Sequence, residues 1–124
     1  MNQVSKNYDL GERTSVYSEN VIDFCRNLTL DGISEPIIKQ LVRSATSIGA
    51  NYMEAKNGSS KKDFKNKIHI CKKEAQETEY WLRMLLKFYP SVRSNIEALS
   101  KESHELLLIF QRIVSTLQIN DLKT

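Results

Sequence analysis

The stretch LVRSATSIGANYMEAKNGSSKKDFKNKIHICKKEAQETEYWL, residues 41–82, holds two helical patterns with a stop signal between them. In the first, Leu41, Ala45, Ile48, Tyr52 and Ala55 recur at alternating intervals of four and three, the seam of helices crossing at a shallow angle. In the second, Phe64, Ile68, Cys71, Ala75, Thr78, Leu82 and Leu85 keep that alternation through six intervals, a length chance rarely sustains. Asn57-Gly58-Ser59-Ser60 stops one helix and caps the next, with Ser60 and Asp63 as a capping box.

Working outward, Tyr17, Val21, Phe24 and Leu28 predict a first helix over about 15–28, ended by the turn residues of 29–34. Ser34 is the candidate N-cap of a second helix over about 35–57, with Pro36 in its first turn, where a missing N–H does no harm. The third spans about 61–88 and is broken by Pro90. Ser94 and Glu97 signal the start of a fourth, over about 95–118, with a seam of Leu99, Ser103, Leu106, Phe110, Ile113 and Leu117. Four helices on short loops are antiparallel neighbours, so the predicted fold is an all-α, up-down-up-down four-helix bundle. At 124 residues the chain is expected to form one domain over 1–124.

Hydrophobic content of 40%, charged content of 27% and two prolines describe a globular helical chain. Residues 1–6 lack the apolar core of a signal peptide and no run approaches ~20 apolar residues, so the expectation is a cytoplasmic protein outside the membrane. Cys25 and Cys71 occupy apolar-periodic positions, which favours buried free thiols over a disulfide or a metal site.

Between Gln40 and Ala55 only Arg43 and Glu54 are charged, and Thr46, Ala50 and Met53 fall opposite or nearly opposite the seam. The run Leu106-Leu107-Leu108-Ile109-Phe110 is likewise apolar all round. One bundle core cannot take both, so another copy of the chain is expected to cover them, with a monomer bearing an apolar surface as the alternative.

Arg43, Ser44, Ser47, Asn51 and Glu54 form a polar row beside that seam. A tight hairpin at 57–60 sets Arg43 near Glu74 and Glu54 near Asp63, with Lys67 one turn further and Glu77 on the same flank. Arg43, Ser47, Asn51, Glu54, Lys67, Glu74 and Glu77 therefore read as a structural polar network fixing helix register. The alternative is a carboxylate pocket with Glu74 and Glu77 as acid and base. A ferritin-like dimetal site needs Glu-x-x-His pairs, and neither His69 nor His104 follows a glutamate by three, so no metal and no cofactor are expected.

The segment Lys61 to Lys73 holds six lysines and one acid, which leaves 12 basic against 14 acidic residues elsewhere and makes the positive excess local. Lys61, Lys62, Lys65, Lys72, Lys73, Arg83 and Lys87 are the candidate nucleic-acid-binding residues, since cationic rows contact phosphates and release counterions. A solvated lysine face is the plain alternative. No aromatic residue interleaves with the lysines, and Tyr80, Trp81 and Phe88, near the cationic end, read as core or interface, with stacking platforms as the alternative. Any contact would thus follow backbone and shape rather than base sequence.

Residues 40–55, QLVRSATSIGANYMEA, closely resemble the helix-two motif of the bacterial four-helix-bundle family whose founding members are encoded in intervening sequences of 23S ribosomal RNA genes. Residues 60–64 (SKKDF) and 73–82 (KEAQETEYWL) resemble its helix-three motif, and Glu105-Leu106 with Ile109-Phe110 is similar to its last helix. The likeness spans roughly Asp9 to Leu117. It implies a homopentameric ring without known catalytic activity. A related branch, the accessory protein of diversity-generating retroelements, is a basic barrel that binds nucleic acid and a reverse transcriptase. The combined expectation is a non-enzymatic homo-oligomeric bundle with a sequence-nonspecific RNA- or DNA-binding or accessory role through its basic face. The competing reading is an assembly module docking an acidic protein.

Overall fold

The structure is a computed structural model that describes residues 9–58 and 60–123; residues 1–8 and Ser59, which belongs to the expected cap loop, lie outside them. Among the described residues there are four α-helices and no strand: α1 Leu10–Arg26, α2 Ser34–Lys56, α3 Lys61–Phe88 and α4 Arg93–Lys123, with a 3-10 turn at Pro90–Val92 before α4. Each helix packs on its chain neighbours, and α1 closes the bundle against α4.

Side-chain contacts fix the directions. Ile48 and Ser44 of α2 meet Cys71 and Thr78 of α3 in reverse order. Ser18 of α1 reaches the Ala45 carbonyl, while Gly11 lies by Tyr52. Ser103 of α4 reaches the Ala75 carbonyl, and Lys65 reaches Asp121. Arg13 pairs with Glu102 and Tyr17 with the Leu99 carbonyl. Numbers fall on one helix as they rise on the next, which makes all four neighbours antiparallel.

The core holds most of the predicted seams of α2, α3 and α4. Leu41, Ala45, Ile48, Ile68, Cys71, Ala75, Leu82, Leu85, Leu106 and Phe110 are each 0% exposed. Tyr52 and Phe64, at the seam ends, are half-buried. Burying one such aliphatic side chain contributes about 1.5–3 kcal/mol, so the periodic stripe dominates the fold's stability. Polar seam members are satisfied: the Ser44 and Thr78 hydroxyls meet at 2.9 Å, and Ser103 donates to the Ala75 carbonyl at 2.9 Å. Helices α1 and α2 pack closely at Gly49, where a Cβ would meet Thr14 Oγ1 at 3.4 Å, an ordinary van der Waals contact.

Several boundaries differ from those read in the sequence. Helix α1 starts at Leu10 rather than near 15, because Asp9 Oδ1 accepts from the Glu12 N–H at 2.9 Å and caps it. Its buried face is Leu10, Thr14, Tyr17, Val21 and Cys25, and Leu28 falls beyond its end. Ser34 does not cap α2. Asp31 does, accepting at 2.8 Å from the N–H groups of both Ile33 and Ser34, and these bonds hold its carboxyl below the usual carboxylate range. Ser34 is itself buried, its hydroxyl 2.8 Å from that of Tyr89. Helix α4 begins at Arg93, which places Ser94 inside the first turn, and it runs on to Lys123. Its buried face passes through Ile96 and Val114, leaving Ile113 and Leu117 half-buried. Helix α3 matches its expected limits, with Ser60 Oγ accepting from the Asp63 N–H at 3.0 Å.

Candidate nucleic-acid interface on helix 3

Between Lys73 and Leu82 the sequence carries three glutamates, Glu74, Glu77 and Glu79, beside the candidate cations. Helical geometry sends them sideways. Glu74 and Glu77 lie on the flank toward α2, where Arg43 Nη1 donates to Glu74 at 3.2 Å and Nη2 to Glu77 at 2.5 Å. Burial opposes the charge on Arg43, but the two carboxylates more than offset it and hold the guanidinium protonated. Glu79 lies on the other flank, 3.5 Å from His104 Nδ1 of α4.

What remains on the outer face of α3 is a stripe without acids. Lys62, Asn66, His69, Lys73, Gln76, Tyr80, Arg83 and Lys87 are all exposed and stand three or four residues apart. Lys73, Arg83 and Lys87 make no ion pair among the described residues. The other candidate cations sit differently. Lys65 is half-buried and pairs with Asp121 at 3.3 Å, Lys72 is half-buried, and Lys61 and Lys62 join Lys65 around a hollow of about 520 Å³ shared with Leu117, Asn120 and Asp121.

Of the two places the sequence reading allowed, core or interface, the core does not hold Tyr80. It is 54% exposed and stands within the cationic stripe rather than in the core. The helical wheel carried that signal, since Tyr80 lies seven residues from both Lys73 and Lys87. Trp81 turns inward and meets Tyr80 in a T-shaped contact, ring centroids 5.0 Å apart, while Phe88 is half-buried.

The expected polar network divides into pieces. Arg43, Glu74 and Glu77 come together, and Lys67 pairs with Glu54 at 2.6 Å. Ser47 and Asn51 join neither group, because short side chains on a helix reach their own backbone first: Ser47 donates to the Arg43 carbonyl at 2.7 Å and Asn51 to the Ser47 carbonyl at 2.8 Å. A second clamp of the same design was missed. Arg13 on α1 binds Glu102 at 2.7 and 2.8 Å and Glu105 at 3.0 Å, again two glutamates one helical turn apart, and those bonds raise its guanidinium pKa further against the opposing effect of burial. Its signal was the Glu102-Ser103-His104-Glu105 spacing on α4, the counterpart of Glu74 and Glu77.

No group of three or more His, Cys, Asp or Glu among the described residues converges as a metal site. Cys25 and Cys71 are free and buried. No helix of the described residues is long and apolar enough to cross a membrane. A hollow of about 510 Å³ between α1 and α4 is lined by Asn20, Asn27 and Asn95 with Asp23 as its one titratable group, a lining without an acid–base pair.

Comparison with known proteins agrees with this fold. A crystal structure from Bacteroides thetaiotaomicron, of a protein with unknown function from the S23 ribosomal protein family, superposes with a TM-score of 0.76 at 33% sequence identity, covering 84% of this chain and 96% of that one. No curated protein is significantly similar to the chain. The family model described as 23S rRNA-intervening sequence protein matches residues 6–112, and the chain belongs to that family.

Proposed function

We propose that this protein is a non-enzymatic binding protein that holds the sugar–phosphate backbone of RNA or DNA along the outer face of α3. The observation that carries this reading is the lateral disposal of Glu74, Glu77 and Glu79, which leaves Lys73, Arg83 and Lys87 on a face without acids. Phosphates meeting such a row release counterions, so affinity falls with salt, by a log–log slope of about −0.7 to −0.9 per phosphate neutralised. Fluorescence anisotropy with labelled oligonucleotides across a salt series tests it. Lys73, Arg83 and Lys87 changed together to Glu should abolish binding while circular dichroism stays unchanged. Binding that ignores both salt and these charges refutes the reading.

Self-association supports that role by multiplying the stripe. The outer face of α2 bears Thr46, Ala50 and a 50% exposed Met53, and α4 adds a 50% exposed Leu108, surfaces that a second copy would cover. Five copies is the number the family resemblance implies. A 14.3 kDa particle in light scattering at micromolar concentration would sink this part. The competing reading, an acidic protein partner, is favoured by one contact: Lys65 already holds a carboxylate, that of Asp121, beside Leu117. Binding of an acidic polypeptide in preference to nucleic acid at equal salt would establish it.

A further inference from the structure

We infer that the nucleic acid held on this face is single-stranded, with Tyr80 as the platform on which an unpaired base stacks. The inference rests on the backbone-binding reading above and names the substrate class of that site. Tyr80 stands in a row that carries cations to both sides of it along the helix axis. Lys73 and Gln76 precede it by seven and four residues, and Arg83 and Lys87 follow by three and seven. At about 1.5 Å of rise per residue, Arg83 lies about 4.5 Å further along the axis, and Lys73 and Lys87 about 10.5 Å to either side. A strand whose phosphates meet the outer pair of lysines therefore passes directly over the phenol ring.

The ring is both available and braced. It is 54% exposed, and its T-shaped contact with Trp81, at 5.0 Å and 74°, engages at most one face of the phenol. Trp81 is half-buried and packed against the core, so it fixes the ring that leans on it. An aromatic group ordered before binding loses little rotamer freedom when a base arrives. Hydrophobic packing does not account for a tyrosine left out of the core in a row of lysines, and a duplex has no use for it. Paired bases are stacked within the helix, so a phenol projecting between cations would hold the duplex backbone away from them. A single strand presents phosphates and an open base face together, and stacking accepts every base, as a face without hydrogen-bond readout requires.

The test compares a labelled single-stranded oligonucleotide with a duplex of equal length at one salt concentration, using the full chain. The wild type should prefer the single strand. Tyr80→Ala should weaken single-strand binding about tenfold, strengthen duplex binding by letting its backbone reach the cations, and keep the salt slope, while Tyr80→Phe should retain wild-type affinity. Thermal melting of both variants checks that the fold is intact, as expected for an exposed side chain. Equal binding of single strand and duplex, or a Tyr80→Ala variant that matches the wild type on single strands, overturns the inference. If the charge-reversed variant still loses all binding in that case, the backbone reading survives. Binding of neither nucleic acid by the wild type overturns both.

Discussion

Arg43 lies 44% exposed on α2 and donates at 3.2 Å to Glu74 of α3, whose side chain is only 9% exposed. The exposed partner is thus what makes the buried one tolerable. Glu77, 35% exposed, shares the same guanidinium. Arg43→Ala should destabilise the bundle by about 1–3 kcal/mol, the cost of leaving a buried acceptor unsatisfied. Glu77→Ala should cost under ~1 kcal/mol, as exposed pairs do. Arg43→Met combined with Glu74→Leu should recover most of the loss, because replacing both partners removes the stranded charge. Urea unfolding of the three variants checks the order, and a double variant weaker than Arg43→Ala alone would contradict it.

The Tyr89 hydroxyl joins the end of α3 to the loop that starts α2, donating to the Thr29 carbonyl at 2.6 Å and standing 2.8 Å from Ser34 Oγ. Tyr89→Phe keeps the ring and removes both contacts. A loss of about 1 kcal/mol is expected. Hydrogen exchange should quicken in the first turn of α2 and stay unchanged near Ile48.

Burial pushes the Cys25 thiol up to about 11 and the Cys71 thiol up to about 12. An unfolded thiol titrates near ~8.5, so above that value the folded state holds more protons than the unfolded state. Stability should be intact below about pH 8 and fall as pH rises toward 11. Burial of the Tyr17 phenol acts in the same direction. Melting temperatures at pH 7 and pH 10 measure the fall, which should shrink in a Cys25→Ala, Cys71→Ala variant. Neither thiol should react readily with a disulfide reagent in the native protein.

Arg13 forks onto Glu102 through two nitrogens, at 2.7 and 2.8 Å, and reaches Glu105 at 3.0 Å. Lysine presents a point charge instead of a planar fork, so Arg13→Lys should not be silent. A loss of about 1 kcal/mol is expected, with α1 the first helix to open. Retention of full stability with an unchanged exchange pattern in α1 would show the clamp to be ornamental.

The seams were legible because burial imposes a period that composition cannot hide: Ile48, Cys71, Leu82 and Phe110 stand where the spacing puts them, fully enclosed. The meeting of Arg43 with Glu74 was legible for a related reason, since a short hairpin fixes the register of α2 on α3. Helix starts were harder to place. Asp9 and Asp31 cap α1 and α2 by single hydrogen-bonded carboxylates, and the competing signal at Ser34 is a local look-alike whose side chain meets the Tyr89 hydroxyl. Ser47 and Asn51 share a face with Arg43 yet bond to their own helix, which face assignment alone does not distinguish.

By itself the sequence determined four helices, their order and the faces they bury, because periodic apolar side chains have one low-energy arrangement on short loops. It also concentrated positive charge in α3. Only the tertiary structure decided which of those charges share a face with acids and which do not. Packing against α2 and α4 supplied Arg43 and His104 as partners for Glu74, Glu77 and Glu79, and so took the acids off the outer face. The same packing turned Trp81 inward and left Tyr80 in the open between lysines. Charge on a helix is a list until neighbours claim their share, and the residues they leave unclaimed form the surface.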